Sequence, residues 1–432
     1  MLRALRLAAA MVLAACGDAP DLVIALDPTE AGAPIPDDFL GASYETSTLI
    51  GGAYFAPGNA ALRRTIATLG LAHLRIGGNE ADTGPQPTAA DVAAFTGFAT
   101  AADLPAIYTL RLATDDPAAA ATVARQVLAT GAVDCLAIGN EPSFYLADYP
   151  TYAAAVRAYM AAIADPRARY CGPDVLGSPD WVARFAADFA PASANVHFYY
   201  GDGTAIAAAD ARDQLLSPAL LERYAADRAA LAPRVRISEA NSFYSGGCPG
   251  ASDAFASALW GLDYLWWWAA HEAAGIDLHT GDHVSGASTT YALFTTAGAG
   301  YHVHPLGYAV VAFALAGHGR RVPVALASDA VTAYAALAAD GHLWLTLVNK
   351  THDAASSDLA IGVRPGPGFA SARAWRLAAG GDVAARDGVT LGGAPIADDG
   401  SWAGAPETTA FSGELAVTLP AASAVVIALD PP

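Results

Sequence analysis

Short apolar segments alternate with longer helix-like segments through the first three quarters of the chain. The short segments are apolar throughout, which is typical of parallel strands buried on both faces. The longer segments are rich in alanine, which fits helices packed around a sheet. The predicted strands are 39–45, 72–78, 106–110, 134–141, 174–179, 195–200, 235–239 and 275–280, and the predicted helices lie around 58–69, 90–102, 117–130, 151–164, 181–189, 214–231, 252–273 and 305–316.

Eight strands, each followed by a helix, predict the α/β class and a (β/α)8 TIM barrel over residues 38–320. A doubly wound open sheet would give the same alternation. However, no predicted strand leads into a G-x-G-x-x-G or G-x-x-x-x-G-K-[ST] phosphate loop. The pattern therefore favours the barrel. Its longest helix, 252–273, has Ser252 as the predicted N-cap and Gly275 just beyond its end.

The pattern changes near residue 321. Residues 331–350 form two segments with alternating apolar positions around Asp340-Gly341, a signal for a β-hairpin. Further strand-like segments follow, separated by Gly, Pro and Asp, and together they predict a small antiparallel β-sandwich over 321–432. Residues 16–37 are predicted to be a linker with an N-terminal strand at 21–28. We expect this strand to join the sandwich, because its pattern matches that of the last strand.

The N-terminus predicts a signal peptide over residues 1–15. Two arginines precede an apolar stretch, Leu7–Ala15, that is too short to span a bilayer. The last residues before Cys16 resemble a bacterial lipoprotein cleavage box, which predicts lipidation of Cys16. Ordinary secretion with cleavage after a small residue is the alternative. We therefore expect an exported protein anchored by lipid to the bacterial cell envelope, facing the periplasm or the cell surface.

Composition narrows the class of partner. With 54% hydrophobic and 15% charged residues the chain is typical of a globular protein. A net charge of −19 argues against nucleic acid and against anionic membrane surfaces, so membrane contact is expected only through the N-terminal lipid. Among Cys135, Cys171 and Cys248 at most one disulfide can form, and the sequence leaves the pair open.

Two predicted barrel strands end on a glutamate, Glu141 on the fourth and Glu239 on the seventh. Barrel enzymes carry their reactive groups at the C-terminal ends of the strands. Two carboxylates in one cleft can hydrolyse a glycoside, with retention of configuration when they lie ~5–5.5 Å apart. Asn140 is placed to bond a sugar hydroxyl. One strand-terminal glutamate alone is more often a cap or an ion-pair partner, so the pair carries the prediction.

Four segments of the predicted barrel are distinctive: GASYE (41–45), LRIGGNEAD (74–82), GNEP (139–142) and SEANSFYSGGCPGASDAFASALWGLDYL (238–265). Together they resemble glycoside hydrolase family 79, which contains β-glucuronidases and heparanase. The resemblance covers about residues 38–320. The tetrapeptide 139–142 is shared across the larger clan of retaining barrel hydrolases, whereas the segment after Glu239 is the most specific. The family's architecture implies a barrel with a β-sandwich to which the N-terminal strand contributes.

The resemblance implies a function and roles for residues. Glu141 would be the general acid/base and Glu239 the nucleophile of an exo-acting β-glucuronidase-like enzyme that needs no cofactor and no metal. The acidic composition disfavours a polyanion such as heparan sulfate, so a small neutral-tailed β-glucuronide is the predicted substrate. The implied binding residues are Glu45 and Asn79 for sugar hydroxyls, His197 and Tyr199 beside the nucleophile, and Tyr244, Ser245, Gly246 and Tyr301 for the sugar carboxylate.

Alternatives remain open. A relative in the same clan would cleave a neutral β-sugar, and a non-catalytic surface lipoprotein would bind carbohydrate without turnover. His302 and His304 could bind zinc, but no clear third ligand supports a metal site. Three consecutive tryptophans, Trp266–Trp268, are predicted to pack in the core. Asp263 and Glu272 on the long helix are predicted to face solvent or to cap.

Overall fold

The computed structural model describes residues 19–431 except 115, 232, 233, 285, 329 and 354. The predicted signal peptide and Cys16 lie outside the described residues. Within the described ranges, no helix combines the length and apolarity needed to cross a membrane.

The strands, in chain order, are β1 (Leu22–Ala25), β2 (Leu40–Glu45), β3 (His73–Gly77), β4 (Ala106–Leu110), β5 (Val133–Ile138), β6 (Cys171–Leu176), β7 (Ser193–Phe198), β8 (Val235–Ala240), β9 (Gly275–His279), β10 (His283–Val284), β11 (Ala287–Ser288), β12 (Phe294–Ala297), β13 (Gly300–Val303), β14 (Arg320–Val322), β15 (Val331–Leu337), β16 (Leu343–Asn349), β17 (Leu359–Arg364), β18 (Ser371–Ala378), β19 (Thr390–Leu391), β20 (Glu407–Ala410), β21 (Leu415–Leu419) and β22 (Ser423–Leu429). The helices are α1 (Ala60–Leu69), α2 (Asn79–Thr83), α3 (Ala89–Ala102), α4 (Pro117–Val127), α5 (Tyr149–Ile163), α6 (Pro179–Phe189), α7 (Ala208–Leu216), α8 (Ala219–Ala230), α9 (Phe255–Ala270) and α10 (Pro305–Ala316).

Strands β2–β9 form one parallel sheet in the order β5-β4-β3-β2-β9-β8-β7-β6. The two end strands approach each other where the Leu136 amide donates to the Arg169 carbonyl at 2.8 Å, so the sheet is a nearly closed barrel. The predicted TIM barrel is confirmed. Its strands are almost entirely buried, which explains why they are apolar without alternation.

Two predicted helices differ from the structure. The segment 214–231 forms two helices, α7 and α8, because the residue before Pro218 is restricted to extended backbone and Ser217 adopts it. Helix α9 begins at Phe255 with Ala254 as its N-cap, so Ser252 is not the cap. The Ser252 hydroxyl instead accepts from the Cys248 amide at 2.9 Å. Gly275 does not follow the helix directly but begins strand β9.

The C-terminal domain consists of two facing sheets. The larger has the order β14-β15-β16-β22-β18-β19, with β20 also paired to β18, and the smaller has the order β1-β17-β21. The hairpin predicted around Asp340-Gly341 joins β15 and β16, which pair antiparallel from Val331–Asn349 to Leu337–Leu343. Strand β1 pairs parallel with β17 rather than with the last strand. Ile24 of β1 is buried in the core between the two sheets, so the N-terminal strand is part of this domain.

Helix α9 connects the barrel to the sandwich. Trp266, Trp267 and Trp268 are all buried, which confirms their predicted place in the core, and Trp266 stacks on Tyr334 of β15 with 5.9 Å between ring centres. The prediction that Asp263 faces solvent is wrong. Its carboxylate is 4% exposed and binds the Lys350 ammonium at 2.8 Å, because a helix between two packed domains has no solvent-facing side there.

The structure decides which of the three cysteines pair. Cys135 on β5 and Cys171 on β6 form a disulfide, and Cys248 is a buried free thiol. The disulfide lies between the two strands at which the barrel closes.

Candidate active site

The carboxylates of Glu141 and Glu239 meet at the C-terminal end of the barrel. Glu239 is the fifth residue of β8, whereas Glu141 lies three residues beyond the end of β5 in a left-handed conformation (φ 48°). Its amide donates to the Asp174 carbonyl at 2.8 Å, which holds this strained backbone. One oxygen of Glu141, one oxygen of Glu239 and one ring nitrogen of His197 all lie within 4.8 Å of one another.

Glu239 is held as an anion. Arg75, fully buried on β3, donates from Nη1 to Glu239 Oε2 at 2.5 Å, and the Tyr199 hydroxyl donates to Oε1 at 2.8 Å. Burial by itself would raise the pKa of Glu239, but His279, His197, Arg75 and the Tyr199 hydroxyl hold it well below its usual value. Burial and the charge of Glu239 raise the pKa of Tyr199 well above its usual value, so the phenol stays a donor.

Glu141 has a different set of partners. His197 Nδ1 lies 2.9 Å from Glu141 Oε1, and its Nε2 lies 3.8 Å from Asp174 Oδ1. Asp174 is fully buried, accepts from the Ser238 hydroxyl at 2.6 Å and lies 3.5 Å from Arg75 Nη2. A third carboxylate therefore lies beneath the two catalytic candidates and touches the residues that position both.

Glu45 and His279 form another side of the site. Glu45 Oε2 accepts from the Glu80 amide at 2.9 Å, and Oε1 lies 3.8 Å from His279 Nε2. Burial alone would lower the pKa of His279, but Glu239 and Glu45 raise it. Gly78 has φ +70°, and a side chain there would place Cβ 2.1 Å from Glu45 Oε2, so only glycine permits this approach.

Asn140 links the two ends of this constellation. Its Oδ1 accepts from Arg75 Nη2 at 2.7 Å, and its Nδ2 donates to Asn79 Oδ1 at 3.1 Å. Its backbone amide donates to Asp82 Oδ2 at 2.7 Å. The side chain is therefore oriented from both sides.

These groups surround a cavity of about 510 Å³. Of the residues predicted from the sequence, His197 and Asn140 do not line it but contact residues that do. The predicted residues that line it directly are Glu45, Asn79, Glu141, Tyr199, Glu239, Tyr244, Ser245 and Gly246.

Tyr301 is not among the residues that line this cavity. Its hydroxyl accepts from Asn59 Nδ2 at 2.8 Å, and its ring packs edge-on against Tyr54 and Phe294. It lies on the short hairpin β12–β13, and the register of that hairpin turns the ring into the core. Tyr291 lines the cavity instead, near Tyr199.

Sequence reasoning missed Arg75, Asp174, His279 and Tyr291 as site residues. A signal existed for two of them: an arginine and an aspartate inside predicted buried strands need a partner there, because burying a lone charge is costly. His279 and Tyr291 carried no comparable signal.

Two carboxylates and an imidazole at this spacing offer ligand atoms for a metal ion. The guanidinium of Arg75 contacts Glu239, however, and its positive charge opposes a second cation at the same place. His302 and His304 are used elsewhere, since His302 lies 3.1 Å from Asp398 and His304 lies 2.8 Å from the Thr295 hydroxyl.

The electrostatics of Glu239 predict the acidic limb of activity. Only the ionised carboxylate attacks carbon, so we expect half-maximal kcat/KM on the acidic side below pH 4.5, the usual pKa of a glutamate. Arg75→Met removes the cation that favours the charged form, which raises the pKa of Glu239 and moves the limb to higher pH by about one to three units.

Arg75→Lys is the matched variant, because it keeps the charge, and it should shift the limb less. Circular dichroism across the same pH range establishes that each variant is folded. An acidic limb that does not move in Arg75→Met would contradict the assignment of this limb to Glu239.

Three solved structures with this fold are those of carbohydrate-cleaving enzymes. No protein-family model matches the sequence, and a search of curated proteins finds no match either. A 4-O-α-L-rhamnosyl-β-D-glucuronidase from Fusarium oxysporum 12S superposes with a TM-score of 0.78 at 17% identity, covering 94% of this chain and 100% of that one. A GH51 arabinofuranosidase from Xanthomonas axonopodis pv. citri gives 0.68 at 16% identity, covering 94% and 99%. A monomeric β-xylosidase from Caulobacter crescentus CB15 gives 0.62 at 16% identity, covering 95% and 99%. The chain thus has, over barrel and sandwich together, the fold of solved glycoside hydrolases.

Proposed function

We propose that this protein is a retaining glycoside hydrolase that removes β-glucuronosyl groups from the end of its substrates. The observation that carries the proposal is the approach of Glu141 and Glu239 to within 4.8 Å at the C-terminal end of the barrel. Carboxyl groups that approach this closely fit a retaining enzyme, whose two groups lie ~5–5.5 Å apart, better than an inverting enzyme, whose groups lie ~6.5–9.5 Å apart to admit a water.

The two carboxylates have different roles in the reaction. Glu239, held ionised by Arg75 and Tyr199, attacks the anomeric carbon while Glu141 gives a proton to the departing oxygen. A covalent glycosyl-enzyme forms and the aglycone leaves as the alcohol. Glu141 then takes a proton from water, which attacks the same carbon and releases Glu239. Two inversions give net retention.

The choice of a glucuronide is supported by the resemblance in sequence and by the glucuronidase among the structures with this fold. Tyr244, Ser245 and Gly246 follow the nucleophile and line the cavity, where hydroxyls and backbone amides would hold the sugar carboxylate. One observation favours a neutral sugar as the second candidate: neither lysine nor arginine is among the described residues that line the cavity.

Hydrolysis of nitrophenyl β-D-glucuronide, β-D-glucoside and β-D-galactoside separates the two candidates. We expect turnover of the glucuronide, and we expect Tyr244→Phe to lower its kcat/KM about tenfold, the effect of one lost hydrogen bond to a charged group. Tyr301→Phe is the matched control and should leave the ratio of glucuronide to glucoside activity unchanged. Turnover confined to a neutral sugar would sink the glucuronide proposal and keep the two-glutamate mechanism.

A further inference from the structure

A second cavity adjoins the catalytic one on the other side of Glu141. It measures about 780 Å³ and shares Asn79, Glu141 and Phe144 with the catalytic cavity. It extends outward between the segment after β4, at Leu112, and the surface of helix α5, at Ala154–Ala158. We call it the Phe144 groove.

The position of the groove relates it to the leaving group. Under the proposed function the sugar ring lies over Glu239, and Glu141 protonates the oxygen that leaves. The departing part of the substrate must therefore lie on the side of Glu141, and the groove opens there. A sugar bound in the 510 Å³ cavity would direct its aglycone past Glu141 and Phe144.

The polar side chains of the groove are already engaged. Asp82 accepts four hydrogen bonds, from the amides of Leu112 and Ala113 at 2.6 and 2.9 Å, from the Asn140 amide at 2.7 Å and from the Tyr145 hydroxyl at 2.9 Å. Asn79, Thr83, Asn140 and Thr151 also bond within the fold. A second sugar, with several hydroxyls, would find most of these side chains already bonded, and a polar group that loses water without gaining a bond is costly.

The remaining lining is apolar. Leu112 and Leu146 line the groove together with the small side chains of α5, which leave room for a ligand. Phe144 is 67% exposed although it is a large aromatic residue, and it lies in the turn Pro142–Phe144 directly after Glu141. An exposed aromatic ring at the junction of two cavities offers a ligand an apolar face.

We propose that the Phe144 groove binds an apolar aglycone, alkyl or aromatic, with Phe144 as its main contact. This inference rests on the proposed function for its direction and deepens it: the natural substrates are glycosides of apolar alcohols or phenols rather than oligosaccharides extended on the aglycone side. Phe144 acts here on specificity and takes no part in the chemical step.

Methyl and hexyl β-D-glucuronide test the proposal, because their alcohols have closely similar acidity and differ in the apolar tail. We expect wild-type kcat/KM to be at least about tenfold higher for the hexyl compound, since the tail leaves water on binding. In Phe144→Ala the ratio of hexyl to methyl kcat/KM should fall to a few-fold. Tyr244→Ala, which changes the sugar-binding side of the site, is the matched variant and should lower kcat/KM equally for the methyl and the hexyl compound.

Measurements of equilibrium binding separate a failure of the groove proposal from a failure of the proposed function. Calorimetry of the methyl and hexyl compounds, both as glucuronides and as glucosides, uses Glu239→Gln, which binds with almost no turnover, and Glu239→Gln combined with Phe144→Ala. Tighter hexyl binding that is lost in the double variant supports the groove even if the protein turns over no glucuronide. Equal binding of both tails, or faster turnover of a glucuronosyl disaccharide than of the hexyl compound, overturns it.

Discussion

Glu239→Gln is expected to lower kcat/KM by a factor of about 10⁴ to 10⁶, the range seen when a covalent nucleophile is removed. Glutamine keeps the shape of the side chain, but its amide cannot attack the anomeric carbon, and its single oxygen can accept from Arg75 or from Tyr199 but not from both. Steady-state hydrolysis of an activated glycoside measures the loss. Glu222→Gln, the same change at an exposed position on α8, should leave activity unaltered.

A smaller side chain at the same position tests the covalent step directly. Azide should enter the space left in Glu239→Gly, restore turnover and give a glycosyl azide of inverted configuration, because only one displacement then occurs. The same treatment of Glu141→Gly should give an azide product of retained configuration. A Glu239→Gln protein with near wild-type turnover would remove the nucleophile assignment, whereas a wild-type protein without turnover of any glycoside would favour a non-catalytic binding role.

Asp277→Asn is expected to destabilise the fold by about 3–5 kcal/mol, the cost of breaking a buried ion pair. Asp277 is fully buried on β9, 2.7 Å from His73 Nδ1 and 2.8 Å from Arg236 Nε. Gly41 makes room for it, since a Cβ there would lie 1.9 Å from its carboxylate. With asparagine the Arg236 charge loses its ion pair with Asp277 and keeps the one with Asp38, at 3.1 Å.

The denaturation midpoint at pH 7 measures this effect, and Asp358→Asn, at an exposed position, should change stability by no more than about 0.5 kcal/mol. Burial would raise the pKa of Asp277, but Arg236 and His73 hold it well below its usual 3.8. The ionised carboxylate therefore stabilises the fold above pH 3.8, and that contribution is lost as the pH falls further. The difference in free energy of unfolding between wild type and Asp277→Asn should therefore become smaller below pH 3.8. A difference that does not change with pH would mean that the charge of Asp277 is not its cause.

Much of the architecture follows from local sequence. The barrel strands are apolar on both faces because both faces are covered, and the hairpin at Asp340-Gly341 follows from the residues of its turn. Each could therefore be predicted from its own segment of sequence, without knowing which elements it contacts. Boundaries were less accurate. Pro218 divides one predicted helix into two. Strand β5 ends at Ile138, because Gly139 and Glu141 adopt left-handed backbone conformations, and the Asp174 carbonyl holds that of Glu141.

In the candidate site, too, some residues could be predicted from the sequence and others could not. Glu141 and Glu239 could be singled out because strand-terminal carboxylates on strands four and seven converge in any such barrel. The surroundings of Tyr301 could not be predicted, because the register of a short hairpin decides which face of a strand a side chain takes, and a one-residue difference reverses it. Tyr291 lines the cavity from the segment between β11 and β12, where no strand pattern indicates the direction of a side chain.

The sequence by itself determined the succession of eight strands and helices, the change to a β-sandwich, and the two glutamates at strand ends, because burial and turn formation depend on neighbours along the chain. The tertiary structure alone decided that Arg75 binds Glu239, that His197 lies between Glu141 and Asp174, that Cys135 pairs with Cys171, and that Asp263 meets Lys350. These contacts join residues far apart in sequence, and their strength comes from burial, which removes the water that would otherwise solvate each charge.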